Sequence, residues 1–248
     1  MAGLVQMKKS MSIILIILAI GLSNLITAYF IAKFFYKKEM LIRLHPIFDD
    51  YYLKPSNKKF WLIGDSRVAR WQLNDSCIST KEYQNLGIEG QTSTQVLERT
   101  KNYFKICHPK YIIIQVGIND LKCIAIFPDK EEAIKRNTIL NIKNLLDDCI
   151  IRNTTPIFTT ILPTGKVELY RIPFWSEKVE KSIIEVNKSI IEYCVSNNID
   201  YIDLNKTIYR PTNNLKNSLF SDCLHLNSAG YKLITLELTK FLSNKKYN

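Results

Sequence analysis

Four short apolar runs constrain this chain most: Phe60–Ile63, Tyr111–Val116, Pro156–Leu162 and Ile199–Leu204. They are rich in Ile, Val, Tyr and Phe and too short for buried helices. Such runs are what strands buried on both faces of a parallel sheet look like. Tyr83–Leu86 is a weaker fifth strand. Helical patterns lie between them. Thr92–Tyr103 opens with Thr92 and Gln95 at capping-box spacing. Glu131–Arg152 starts acidic and repeats Ile139, Ile142, Leu145, Leu146 and Ile150 on one face. Ser176–Ser196 repeats Val179, Ile183, Val186, Ile190 and Cys194, and Ser228–Phe241 follows the last strand. Strands alternating with helices predict βαβ units and a parallel sheet covered on both sides. Ligands of such sheets bind beyond the carboxyl ends of the strands.

Ahead of this pattern, Met11–Ala32 is a run of 22 residues without a charge. As a helix it would span about 33 Å, enough for a hydrocarbon core of about 30 Å. Lys8 and Lys9 precede it, Lys33, Lys37 and Lys38 follow it, and Tyr29, Phe30, Phe34, Phe35 and Tyr36 cluster at its end. The run is longer than the apolar part of a cleaved signal peptide, so an uncleaved anchor is expected. The expected organisation is a tail over residues 1–10, a transmembrane anchor over 11–32, a connector over 33–58, a folded domain over 59–242 and a tail over 243–248. Lysines on both sides leave the orientation open.

Of the net charge of +11, residues 1–60 carry +6, where a membrane flank expects it. The remainder has no basic run longer than two and no nucleic-acid motif, so no nucleic-acid partner is expected. The six cysteines, Cys77, Cys107, Cys123, Cys149, Cys194 and Cys223, form no CxxC pair and no zinc spacing. They read as small buried hydrophobes. The Asn-x-Ser/Thr sequences at Asn74, Asn153, Asn187 and Asn205 read as chance in an Asn-rich chain.

The strand ends carry the chemistry. Gly64-Asp65-Ser66-Arg67 follows the first strand, and Asn85-Leu86-Gly87-Ile88-Glu89-Gly90-Gln91-Thr92 runs through and beyond the second. Gly117-Ile118-Asn119-Asp120 follows the third, and Asp222-Cys223-Leu224-His225 precedes the last helix. A serine hydroxyl needs an adjacent base. Of three histidines, His45 is juxtamembrane and His108 sits at the amino end of a strand, which leaves His225. Asp222 is placed to hold its ring. Ser66 stands at a strand-to-helix turn, where unpaired N–H groups are available to an oxyanion. Gly90 lets a backbone N–H approach closely, and Asn119 adds an amide donor. Singly, each has a plainer role: Ser66 and Asp222 as helix caps, Gly87 and Gly90 as turn residues, Asn119-Asp120 as a turn. Their joint placement, in order at strand ends, argues for a site.

These four groups resemble the SGNH/GDSL hydrolase family. Ser66 in Gly-Asp-Ser matches the nucleophile, Gly90 the oxyanion glycine, Asn119 the oxyanion asparagine, and Asp222 and His225 the terminal block. The resemblance spans about residues 59–242. It implies a flavodoxin-like three-layer α/β/α domain with a five-stranded parallel sheet, and a serine esterase or acyl-transfer mechanism without metal or cofactor. Arg67 stands where the family's name has Leu and is expected to be a pocket or surface cation. The stretch Pro163–Trp175 lies at the pocket end, and Tyr170, Phe174 and Trp175 are candidates for contact with substrate.

The expected function is a membrane-anchored esterase removing an acetyl or other short acyl group from a glycan or small molecule. The alternatives are an O-acyltransferase for a cell-surface polysaccharide using the same site, or a non-catalytic anchored binding protein. The expected location is a bacterial plasma membrane with the domain outside, by family habit; the cysteines and flanking charges lean inward.

Overall fold

The computed structural model describes residues 2–44, 54–73, 77–209, 217–245 and 247, without the side chains of residues 2–5 and 8. The chain divides into an N-terminal unit and a body that begins at Arg43. Helix α1 spans Ala2–Arg43, and its segment Lys9–Arg43 is long and apolar enough to cross a membrane. The helix continues beyond Ala32, through the lysines and aromatics that flank the uncharged run. His45, Pro46 and Asn74 lie outside the described residues.

In the body, strands β1 (Phe60–Gly64), β2 (Tyr83–Gly87), β3 (Tyr111–Gln115), β4 (Thr155–Thr159) and β5 (Asp200–Ile202) form one sheet in the order β2-β1-β3-β4-β5. Every pairing is parallel. This is the flavodoxin-like order, whose switch point lies between β1 and β3. The chain leaves those two strands in opposite directions, and it is at such a point that ligands of open parallel sheets bind.

β4 and β5 are shorter than their apolar runs. Past Thr159 the Thr160 N–H still donates to the Ile202 carbonyl at 3.1 Å, and the backbone then turns to a side chain: Asn187 meets both the N–H and the carbonyl of Ile161, each at 2.8 Å. Thr160 Oγ1 accepts the Asn205 N–H at 2.8 Å. The apolar residues up to Leu162 are core without being strand. Asn187 is thereby a buried structural amide.

The helices of the body are α2 (Ser66–Ala69), α3 (Ser93–Tyr103), α4 (Ile118–Leu121), α5 (Glu131–Ile151), α6 (Lys178–Ser196), α7 (Leu204–Tyr209) and α8 (Ser228–Lys245). α3, α5 and α6 pack side by side. Val68, Ile208, Ile234 and Leu238, from α2, α7 and α8, share a core with Leu62 and Ile113 of the sheet. α6 buries all five residues of its expected stripe. On α5 the buried face is Ile134, Thr138, Ile142, Leu145, Leu146 and Cys149; Ile150 is 46% exposed, because the face turns a residue earlier than the apolar count implied. Gln95 Oε1 accepts the Thr92 N–H at 3.1 Å while the Thr92 side chain accepts the Gln95 N–H, the expected capping box. α8 runs a turn longer than its pattern, and Lys245 pairs with Asp200 at 2.7 Å.

Candidate active site

β1 ends at Gly64, and the chain turns at once into α2. Asp65 is the N-cap of that helix, its Oδ1 accepting the Arg67 N–H at 2.9 Å. Ser66 is therefore the first residue of the helix, where backbone N–H groups have no helical acceptor. Its Oγ lies 2.9 Å from His225 Nε2, and His225 Nδ1 lies 2.7 Å from Asp222 Oδ2. Ser66 and His225 are buried. Burial pushes the His225 imidazole below its ordinary pKa, against the pull of the Asp222 carboxylate, so the ring is neutral at pH 7. Burial also pushes the Asp222 carboxyl up. The bonds from the His225 ring and from the Leu224 and His225 N–H groups outweigh that and hold it below the usual carboxylate range. A neutral imidazole against a hydroxyl, backed by an ionised carboxylate, is an arrangement able to take the hydroxyl proton.

The second wall comes from β2 and β3. Gly87 admits no side chain, since a Cβ there would lie 2.2 Å from the Ala69 nitrogen. Gly90 has φ +75°, a left-handed conformation that favours glycine. Asn119, in α4 after β3, is buried and donates from Nδ2 to the Gln91 carbonyl at 2.9 Å. That bond ties the asparagine to the loop holding Gly90. The expected site residues thus fall into two linked groups: Ser66, His225 and Asp222, joined in series, and Asn119 with the Gly90 loop.

Three further residues support the site in ways the sequence does not announce. Asp120 is buried and accepts both the N–H and the hydroxyl of Ser93, at 2.8 and 2.6 Å, capping α3 from a different element. Arg99, buried in α3, donates to the Gly64 and Leu86 carbonyls and to Gln91 Oε1, and so binds the ends of β1 and β2 to the same loop. Arg67 is neither a pocket nor a surface cation. It is 1% exposed, with its guanidinium on three backbone carbonyls. Nothing local marks a charged residue as buried; the signal lay only in its place beside the nucleophile.

Tyr170, Phe174 and Trp175 belong to a 3-10 segment, Leu169–Phe174, and its end. Tyr170 is exposed and carries the Arg171 guanidinium over its ring; Phe174 and Trp175 are half-buried. An open pocket of about 430 Å³ lies on the Asp222 side, between Lys166–Leu169 and Phe220, Ser221 and Asp222; none of the three aromatics lines it. Glu168, Asp222 and Cys223 are the one group of described residues with ligand atoms close enough to converge on a metal. Both carboxylates are engaged, Asp222 by His225 and Glu168 by Arg171 at 3.3 Å. All six cysteines are free, and burial pushes the Cys223 and Cys194 thiols up to about 12.

The chain is similar to known proteins over this body. Its sequence is 28% identical over 210 residues to an N-acylneuraminate cytidylyltransferase of Streptococcus agalactiae, a match covering 82% of this chain and 46% of that protein. The chain thus spans about half the length of the curated relatives it matches. Its fold resembles a GDSL-like lipase from Bacteroides thetaiotaomicron, at TM-score 0.60 and 19% identity over 78% of this chain and 92% of that one. It also resembles an acetyl xylan esterase, at TM-score 0.56 and 18% identity over 74% and 99%. The sequence model of the GDSL-like Lipase/Acylhydrolase family matches residues 63–233, from the end of β1 into α8. With more than half its length inside that match, the chain belongs to the GDSL-like Lipase/Acylhydrolase family.

Proposed function

We propose that this protein is a membrane-anchored serine esterase that removes an acetyl or other short acyl group from a sugar hydroxyl through a covalent acyl-enzyme. Residues 11–32 serve as the anchor, 33–58 as the connector and 59–242 as the catalytic domain, outside a bacterial plasma membrane. The observation that carries the reading is the line of hydrogen bonds from Ser66 through His225 to Asp222.

Ser66 Oγ attacks the ester carbonyl carbon while His225 Nε2 takes its proton. Asp222 stabilises the imidazolium so formed. The carbonyl oxygen becomes an oxyanion bonded by the Ser66 and Gly90 N–H groups and by Asn119 Nδ2, whose second hydrogen is left after the bond to Gln91. Removing one such donor typically costs about 10²–10³ in rate. The intermediate collapses, and the alcohol leaves with the proton from His225. Water then gives its proton to His225 and attacks the acyl carbon, releasing the acid and Ser66.

A sugar ester as substrate draws support from two likenesses. One solved structure is an acetyl xylan esterase, and the curated relatives are named for N-acylneuraminate. Anchoring draws support from the length and apolarity of Lys9–Arg43.

The test is hydrolysis of p-nitrophenyl acetate, acetylated xylan and O-acetylated N-acetylneuraminate by the full chain in detergent, beside Ser66→Ala. Activity lost in the variant is expected. Equal activity in both would remove the serine mechanism. Acyl transfer to added sugar without free acid would identify a transferase instead.

A further inference from the structure

Arg67 follows the nucleophile directly, yet its guanidinium serves two other segments. Nε donates to the Leu224 carbonyl at 2.7 Å, Nη1 to the Leu162 carbonyl at 2.7 Å and Nη2 to the Pro163 carbonyl at 3.0 Å. Leu224 immediately precedes His225, and Leu162 and Pro163 begin the loop after β4. The backbone of Arg67 is held as well: its N–H by Asp65 and its carbonyl by the Tyr231 hydroxyl at 3.1 Å.

The sheet does not set the distance between Ser66 and His225. The segment around His225 joins no strand of the sheet; its own bridge pairs Phe220 with Leu226. Arg67 spans that gap, one peptide bond from Ser66 and one carbonyl from His225. All three acceptors are main-chain carbonyls, each met by a different guanidinium nitrogen. A planar guanidinium fork can meet them together, and a lysine ammonium on its flexible stem cannot.

We infer that Arg67 is a positioning residue for ester hydrolysis, its buried guanidinium fixing the segment of His225, and the loop after β4, against the segment of Ser66. The inference rests on the proposed roles of Ser66 and His225. A misplacement of about 1 Å at a reacting pair can cost about 100-fold in rate. Arg67 also places a positive charge near the imidazole. The charged groups facing that ring are Asp222, Arg70 and Arg67; after burial, the two arginines add to the preference for the neutral form.

The test uses the full chain in detergent with p-nitrophenyl acetate, comparing Arg67→Lys, Arg67→Leu and Ser66→Ala, each checked for folding by thermal melting. Arg67→Lys is expected to lose about 10-fold in kcat and Arg67→Leu about 100-fold, with KM changed little. The acid limb of kcat/KM should move to higher pH in Arg67→Leu, which removes the charge, and stay in place in Arg67→Lys. Wild-type kcat in a folded Arg67→Lys overturns the inference, whether or not Arg67→Leu folds. So does a folded Arg67→Leu that loses activity through KM with its acid limb unmoved, since that is general loosening. Loss in Ser66→Ala beside an unaffected Arg67→Lys would overturn the positioning role alone. Full activity in Ser66→Ala would remove the serine mechanism and the inference with it.

Discussion

Asp222 holds His225 from two sides: its Oδ2 lies 2.7 Å from the ring Nδ1, while its Oδ1 accepts the backbone N–H of His225 itself at 2.9 Å. The same Oδ1 takes the Leu224 N–H at 2.7 Å. One carboxylate thus fixes the ring and the turn that carries it. The Asp-x-x-His spacing makes this possible, because a three-residue separation in a tight turn brings side chain and backbone of the histidine to the same acceptor.

Asp222→Asn should separate those two tasks. The amide oxygen can still accept the backbone N–H groups, so the turn should persist. Its NH₂ would face ring Nδ1, favouring the tautomer with the proton on Nε2, which cannot accept the serine proton. The expected loss in kcat is about 10³–10⁴-fold, the order known for this exchange in a serine protease triad. The melting temperature should move by only a few degrees. A kcat within tenfold of wild type would show that the carboxylate is not needed to orient the ring.

The pH profile follows from the His225 environment. Burial, the largest influence, lowers the imidazole pKa below its ordinary 6.5. Activity requires the neutral ring, so it is present above the lowered pKa and lost as pH falls through it. The acid limb of kcat/KM should therefore have its midpoint below 6.5. The same limb carries a stability change: the unfolded chain binds a proton at higher pH than the folded one, so stability falls as pH drops below 6.5. A midpoint above 6.5 would contradict a buried neutral base.

Asn119→Ala should expose the oxyanion wall. The substitution removes the donor and also the bond to the Gln91 carbonyl. A loss of about 10²–10³-fold in kcat, with KM within a few-fold, is expected for a donor acting on the transition state. Equal losses in kcat/KM through KM alone would instead mark Asn119 as a ground-state contact.

The strand runs and the site motifs were legible for one reason: in a parallel sheet, buried strands are continuously apolar and the chemistry sits directly after them. Tyr111–Gln115 followed by Gly117-Ile118-Asn119 states both in nine residues. The end of β4 was not legible, because Ile161 and Leu162 are as apolar and buried as strand residues while their partners are Asn187 and Arg67. The buried arginines were hidden for a related reason. Arg67 and Arg99 satisfy carbonyls scattered over elements far apart in sequence, and no local pattern encodes that. Tyr170, Phe174 and Trp175 lie in a loop without a period, where sequence gives composition and no direction.

Asp120 offers a test of the site's internal electrostatics. It is buried beside Ser93, and burial pushes its carboxyl up from 3.8 to about 6 despite the two bonds from Ser93; Asp65 adds to the rise. A folded-state pKa above the unfolded one contributes stability that is fully present below 3.8 and lost as pH rises through about 6. Asp120→Asn removes that titration while keeping an acceptor for the Ser93 N–H, and its NH₂ can meet the Ser93 hydroxyl oxygen. Asp65, itself raised to about 6, titrates in both proteins and largely cancels. The stability of the variant relative to wild type should therefore increase between pH 4 and pH 7, by about 2–3 kcal/mol for a shift of about two units. Denaturant melts of the two proteins at intervals across that range measure it. A difference that stays flat with pH would mean that Asp120 is ionised in the folded protein throughout, its charge fully met by Ser93 and the start of α3.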